Sequence, residues 1–326
     1  ADGSQYGPAP ISAADEKTLS HATTTPPSDR ADSLSVPAWL LDDIVAQLGD
    51  ETDAVMQAML NRAPLDVRAN LLRADRNMAQ DALLKDDIET APHATINTAL
   101  RVQGTAQITM SAAYRDGLVE VQDAGAQAVA QICDAQAFET VMDFCAGAGG
   151  KALALTAQMN NKGRLLVHDA IKTRMRHLPE RVTRAGAEII ETISPEHLRD
   201  FEAQCDLVVV DVPCSGAGRW RRAPETKWRL TAEALTDLHK LQADIVQTAA
   251  ALVRPNGRLA YITCSLLASE NDRQIDKFLE QNQDFEPMES DGPMGQQARH
   301  MLHPLNADTD GLFIAMMQRV GGGDGA

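Results

Sequence analysis

The sequence predicts an α/β protein: a mostly parallel, doubly wound sheet with helices on both faces, preceded by a small α+β module. Three observations carry this. From Val119 onward, apolar strand-like runs alternate with helical periodicity, an order that yields a parallel sheet with right-handed crossovers. A glycine-rich turn, Gly147-Ala148-Gly149-Gly150, follows the first of those runs, and an acid, Asp169, comes twenty residues after Gly149. Two cysteine signatures, Asp211-Val212-Pro213-Cys214-Ser215 and Thr263-Cys264-Ser265, each close an apolar run. Strand tips of an open α/β sheet face one crevice, so the three loops can converge on one ligand.

Along the chain, residues 1–35 are rich in Ser, Thr, Pro, Ala and Asp and read as a linker or the remnant of an N-terminal helical domain. They lack the apolar core of a secretion signal. The first residue is Ala1 rather than Met, as in a fragment or a processed chain. Residues 38–48 and 53–62 show helical apolar spacing, and Pro64 breaks it. A strand over 67–72, a helix over 78–84 and an extended stretch over 94–102 make 36–115 the small α+β module, with a break over 103–117. The α/β domain spans 116–320 and begins with a helix over 123–133. Its strands fall at 141–144, 164–167, 188–191, 207–210 and 258–262. Helices at 151–159, 174–185, 195–201, 232–253 and 269–281 lie among them, Gly257 closing the long one. A late strand follows at 312–318, and 321–326 reads as a flexible tail.

Composition sets the bounds. The 326 residues, 44% hydrophobic and 23% charged, suffice for a large core. No apolar run approaches the roughly 18 residues of a membrane span. The five cysteines, Cys133, Cys145, Cys205, Cys214 and Cys264, are odd in number and form no Cys-x-x-Cys pair. That argues against a disulfide framework or a metal site and for a reducing cytoplasm. The net charge of −16 comes from the ends: residues 1–100 hold 16 acids and 7 bases, and 265–326 hold 11 acids and 4 bases. The middle is neutral, so contact with a polyanion has to be local. Residues 172–184 carry five bases but read as a solvated helix face. Residues 219–229 carry Arg219, Arg221, Arg222, Lys227 and Arg229 interleaved with Trp220 and Trp228, a combination that can stack on bare bases.

The glycine-rich turn lets backbone N–H groups approach a ligand and aims a helix N-terminus at it. An acid in the position of Asp169 can hold both hydroxyls of a ribose. Nicotinamide dehydrogenases and S-adenosylmethionine enzymes both use such a pair, so it fixes an adenosine-type ligand and leaves the reaction open. The thiols narrow it. Methylating C5 of a cytosine needs a thiolate to add at C6, a group that hydrogen-bonds or protonates N3 and the exocyclic amine, and help in releasing the product. Cys264, Asp211 and Cys214 can fill these roles in that order. Pro213 stiffens the turn beside Cys214. Cys133 and Cys205 read as core residues; Cys145 reads equally as a thiol whose pKa a nearby helix N-terminus lowers or as packing against the cofactor.

Taken together these residues resemble the RsmB/Nop/Sun family of RNA cytosine-5 methyltransferases over roughly 36–320. Cys145-Ala146-Gly147-Ala148-Gly149-Gly150-Lys151 is similar to the family's cofactor loop, with Ala148 in place of a proline. Asp169 matches its ribose acid. Asp211 to Gly216, continuing through Arg222-x-Pro224-Glu225-x-Lys227-Trp228, matches its fourth motif. Thr263-Cys264-Ser265 with Glu270-Asn271 matches the sixth, and Val121-Gln122-Asp123 and Thr309-Asp310-Gly311-Leu312-Phe313 match the flanking ones. The resemblance implies a class I methyltransferase Rossmann-like fold, with S-adenosyl-L-methionine held by residues 145–151, Asp169 and Asp211. It makes Cys264 the nucleophile and Cys214 the residue that assists release, with Arg219, Arg221, Arg222, Lys227 and Trp228 along the RNA. The N-terminal reach looks most like the bacterial enzymes that modify small-subunit ribosomal RNA, which often carry a further NusB-like helical domain. A cytoplasmic monomer acting on a single-stranded or loop site, with no metal and no membrane, is expected. The family's adenine-side acid is absent, its place taken by Thr192-Ile193-Ser194. The rival expectations are a nicotinamide dehydrogenase, or an RNA-binding assembly factor that keeps the fold without the chemistry.

Overall fold

A computed structural model describes residues 12–22 and 29–321. The tail expected over 321–326 lies, past Gly321, outside the described residues, as do 1–11 and 23–28 of the expected linker. The chain divides into two compact units at Leu41/Asp42. The first holds the helices Ala13–Ala22 and Arg30–Ser33; Asp29 caps the second by accepting from the Asp32 amide.

In the second unit, a four-stranded antiparallel sheet comes first: β1 (Asp66–Ala69), β2 (Thr90–Pro92), β3 (Ala99–Val102) and β4 (Val119–Val121), in the order β2-β3-β1-β4. The helix Arg76–Lys85, capped by Asp75, packs on it through Ala79 and Leu83. Val119–Val121, which the sequence rhythm placed with the following segment, is this sheet's edge strand.

The described strands of the large sheet are β5 (Thr140–Asp143), β6 (Arg164–Val167), β7 (Ile190–Thr192), β8 (Cys205–Asp211), β9 (Val253–Thr263) and β10 (Phe285–Pro287). A small hairpin, β11 (Ser290–Gly292) and β12 (Gly295–Gln297), stands apart. β13 (Arg299–Leu302) and β14 (Leu312–Arg319) complete the set. The path runs β10-β14-β9-β8-β5-β6-β7. β5 to β9 are parallel, and β14 runs antiparallel to β9. Alternate residues feed opposite faces: Val141, Leu165, Leu207, Val209 and Ile262 enter one core, Met142, Leu166, Val208, Val210 and Tyr261 the other. Strands buried on both faces read as unbroken apolar runs, which made these strands legible in the sequence.

The helical stretch expected over 53–62 is the shorter Thr52–Ala58, and four segments of the α/β domain differ from expectation in bounds or type. The long helix is Ala232–Ala250 and ends well before Gly257. Val253 already pairs with Cys205, and Gly257 lies in a bulge of β9, where a Cβ would meet the Arg254 and Cys205 carbonyl oxygens at 2.8 and 2.9 Å. The stretch expected as one helix over 174–185 is a 3-10 turn, Lys172–Met175, followed by Leu178–Ala185. Pro179 lacks an N–H and sits where a helix can restart. Pro195–Phe201 is 3-10 rather than α, the form common in short connecting pieces. The last helix begins at Asp272 rather than 269, because the preceding Glu270 and Asn271 turn inward to hydrogen-bond the cysteine loops.

Candidate active site

The tips of β5, β6, β8 and β9 open on one side of the sheet. At β5 the chain turns through residues 145–151. Gly147 takes φ +52° and Gly149 φ +81°, conformations that glycine enters without strain. A Cβ at Gly149 would strike Leu178 Cδ1 at 2.2 Å, whereas one at Gly147 would meet only open space. Gly150 begins the helix Gly150–Gln158, which points its N-terminus at the same space. Asp169, just past β6, is 4% exposed. Its Oδ2 accepts from the Gly147 amide at 3.0 Å and its Oδ1 from the Ile171 amide at 2.8 Å, and each oxygen keeps a lone pair for a ribose hydroxyl.

Asp169 stands where two cavities meet. One, of about 410 Å³, is lined by Asp143, Cys145, Gly147, Lys151, Asp211, Cys214 and Cys264 among others. The other, of about 580 Å³, runs on past Met175, Thr192, Ile193, Ser194 and Phe201. Where a family member would carry an acid, the wall offers Ser194 and, from the 3-10 segment, Asp200, which pairs with His197. Asp200 gave no sequence signal, because its approach depends on how that segment folds.

Beneath the loop lies Asp143, 1% exposed. Neither of its carboxylate oxygens has a hydrogen-bond partner, and burial pushes it up to about 7 against the pull of Lys151. Lys151 Nζ instead donates to Asp211 Oδ2 at 2.6 Å. Burial works against the ammonium, but the charge and hydrogen bond of Asp211 outweigh it and hold Lys151 protonated.

Cys214 and Cys264, both half-buried, bring their sulfurs to 3.2 Å at the wall of the smaller cavity. Their surroundings are unequal. The hydrogen bond from Cys214 stabilises the Cys264 thiolate and, with Arg219 and Lys151, draws Cys264 below the usual thiol range against burial and Asp211. The same bond, burial and the Glu270 carboxylate raise Cys214 well above that range. In the other cysteines the thiolate is disfavoured: burial pushes Cys133 and Cys205 up to about 12, and burial with Asp143 raises Cys145 further.

The structure divides the cationic segment and corrects part of its reading. Trp220 is 1% exposed and presents no face for stacking. Arg221 Nε donates to Asp310 Oδ1 at 2.5 Å; Arg222 pairs with the other Asp310 oxygen and with Asp123 at 2.9 Å. Lys227 is buried between the Trp220 and Trp228 rings. These three hold the loop down. Arg219, Arg229 and Trp228, the last 58% exposed, face outward. The attraction of Asp310 and Asp123 for these guanidiniums arises from chain segments about ninety residues away, which spacing cannot reveal.

Fold and site together define an S-adenosylmethionine-dependent methyltransferase. In the doubly wound dinucleotide-binding order, a sixth parallel strand would follow β9; here β14 takes that place in reverse. The nicotinamide alternative would also leave both thiols idle. Asp169 for the ribose, the open cradle at Gly147, the orphaned carboxylate of Asp143 and the acid at Asp211 fit the cofactor's diol and its cationic amino-acid end. Two family models match: 16S rRNA methyltransferase RsmB/F over residues 130–318, and the RsmF/B-like ferredoxin-like domain over 36–109. The probable ribosomal RNA small subunit methyltransferase B of Synechocystis is 32% identical over 87% of this chain and 67% of its own length. That of Bacillus subtilis is 30% identical over 89% and 68%. The chain thus spans about two thirds of these relatives. A crystal structure of the protein PH0851 superposes with a TM-score of 0.81 at 29% identity, covering 91% of this chain and 70% of that one. The chain belongs to the 16S rRNA methyltransferase RsmB/F family and is an RNA (cytosine-5) methyltransferase that uses S-adenosylmethionine.

Proposed function

We propose that this chain methylates a cytosine of 16S ribosomal RNA through a covalent bond from Cys264 to C6. The observation that carries the mechanism is the sulfur pair, 3.2 Å apart on the shared cavity wall, with its cationic side at Cys264. S-adenosylmethionine, when bound by residues 145–151, Asp169 and Asp211, supplies an electrophilic methyl group. Cys264 Sγ adds to C6 of the extruded base, and the displaced electron pair makes C5 nucleophilic. Lys151 fixes one oxygen of Asp211 and leaves the other to accept from the exocyclic amine of the base. Once C5 carries the methyl group, its proton passes to water, the C–H electron pair re-forms the C5–C6 double bond, and Cys264 leaves as the thiolate, which the Cys214 S–H stabilises by its hydrogen bond. Arg219, Trp228 and Arg229 are the outward groups that meet the RNA strand, while Arg221, Arg222 and Lys227 hold the loop that carries them. The module of β1 to β4 adds backbone contacts. The ribosomal target is supported by the family model and by the names of the relatives. The free thiols suit a cytoplasmic enzyme.

Two variants test this. Cys214→Ala should accumulate a covalent protein–RNA adduct stable to denaturation, and Cys264→Ala should form none and be inactive. The opposite pattern would exchange the two roles. Bisulfite sequencing of ribosomal RNA with and without the gene identifies the cytosine; an unchanged 16S pattern would remove the ribosomal assignment.

A further inference from the structure

Glu270 is fully buried and has no part in the chemistry above. Its carboxylate accepts four neutral donors. Oε1 takes the Ser215 amide at 2.8 Å and Gln242 Nε2 at 2.9 Å; Oε2 takes the Ser215 and Ser265 hydroxyls, each at 2.5 Å. Ser215 directly follows Cys214, and Ser265 directly follows Cys264. One carboxylate therefore ties the two cysteine loops together at the residue next to each sulfur. Gln242, from the long helix, also donates to the Pro213 carbonyl at 3.0 Å, on the other side of Cys214. Asn271 repeats the pattern on the Cys264 side alone: its Oδ1 accepts from Thr263 Oγ1 at 2.6 Å, and its Nδ2 donates to the Ser265 carbonyl at 3.1 Å.

The bonds explain the short sulfur–sulfur distance, and the charge bears on where the proton of the pair resides. A buried carboxylate held only by neutral donors casts its field on nearby titratable groups. Around the thiols, Lys151 from the helix after the cofactor loop and Arg219 from the turn after Cys214 favour the thiolate on Cys264, while Asp211 at the tip of β8 opposes it. On the Cys214 side stand Glu270 and, from β9, Tyr261, whose hydroxyl donates to the Glu270 carbonyl at 2.8 Å. Beyond Glu270 lie His239 of the long helix, bonded to Ser269, and Asp43, which also binds Ser269. The negative charge is thus behind Cys214 and the positive charge beside Cys264.

We propose that Glu270 is a positioning residue that clamps the two cysteine loops at bonding distance and keeps the shared proton on Cys214, so that Cys264 is the thiolate. This rests on the reading that Cys264 is the attacking sulfur. The step is a proton placement only: the Cys214 S–H donates to the Cys264 sulfur, and no bond to Glu270 breaks.

The test is site-resolved alkylation of the whole protein with iodoacetamide across a range of pH, read by mass spectrometry, beside the pH profile of kcat. In the unaltered protein Cys264 should react first and at lower pH. Glu270→Gln should reduce the Cys264-over-Cys214 preference by about tenfold and, because it removes a negative charge beside the pair, move the kcat midpoint to lower pH, with KM for RNA unchanged. An unchanged preference and midpoint in a folded Glu270→Gln protein would overturn the proposal. Should Glu270→Gln not fold, the double variant Ser215→Ala/Ser265→Ala decides the matter. It keeps the charge and removes both hydroxyl bonds, so it should retain the preference while kcat falls; an undiminished kcat there would overturn the clamp. Alkylation does not depend on turnover, so this failure differs from failure of the underlying reading, in which Cys264→Ala would remain active.

Discussion

Asp143 shows how a single residue in this site sets a condition on the whole protein. Its carboxyl is raised from 3.8 to about 7, chiefly by burial. A raised carboxyl binds its proton more tightly in the folded state, so the folded chain holds more protons than the unfolded one between those values. Its contribution to stability is therefore full below about pH 4 and is lost as pH rises through about 7. Asp143→Asn should stabilise the ligand-free protein at about pH 8 by up to about 4 kcal/mol, seen as a higher melting temperature, with the gain vanishing near pH 4. Thermal melts of both proteins across that range check it; a variant less stable at alkaline pH would refute it. The same substitution should weaken S-adenosylmethionine binding, since it removes the carboxylate from the cavity wall.

Between elements, close backbone passage holds the two cysteine loops against β14. Gly218 donates its amide to the Cys264 carbonyl at 3.0 Å and accepts from the Gly311 amide at 2.8 Å. A Cβ on Gly218 would lie 1.9 Å from the Gly311 carbonyl oxygen, and one on Gly311 would lie 2.6 Å from Gly218 Cα. Backbone cannot yield as a flexible side chain does. Gly218→Ala should cost about 3 kcal/mol or more, seen as a lower urea midpoint, and an unchanged midpoint would show that the loops can part. A second junction lies at the helix Leu178–Ala185. Arg181 and Arg184 both bind Glu120 of β4, and Arg181 also donates to the Ala148 carbonyl at 2.6 Å. From the other direction, Arg68 of β1 donates to the Gly150 carbonyl at 2.8 Å. Two guanidiniums that meet at the antiparallel sheet thus grip carbonyls of the cofactor loop. Of the five bases in the run read from the sequence as a solvated face, Lys172, Arg174 and Arg176 are exposed, and Arg181 and Arg184 are half-buried.

On the scale of the molecule, charge decides how RNA is met. The chain carries −16 overall, and much of the positive charge near the site is spent within the fold on Asp310, Asp123 and Glu120. Few cations remain to displace counterions. RNA affinity should therefore fall only gently with salt, with a log–log slope of about −2, as for about three phosphate contacts to a single strand. A filter-binding series in KCl measures it, and a slope several times steeper would mean that a basic surface elsewhere dominates. Among the described residues no helix is long and apolar enough to cross a membrane.

Local chemistry is readable from the order of residues. The parallel strands are legible because both faces are buried and the apolar runs are continuous. The cofactor turn is legible because glycine alone enters its backbone angles freely. The two thiols, Asp211 and Asp169 are legible because each closes a strand that must end at the same edge of the sheet. Which polar side chains face one another follows from the assembled fold. Nothing in the spacing of Arg221, Arg222 and Lys227 distinguishes an RNA contact from an internal brace until Asp310 and Trp220 are brought beside them. Nor does the sequence place Glu270 under both thiols, or Glu120 between two arginines of another element. Apolar periodicity is written residue by residue along the chain. Pairing of buried charge depends on contacts between distant segments, and those exist only once the sheet has assembled.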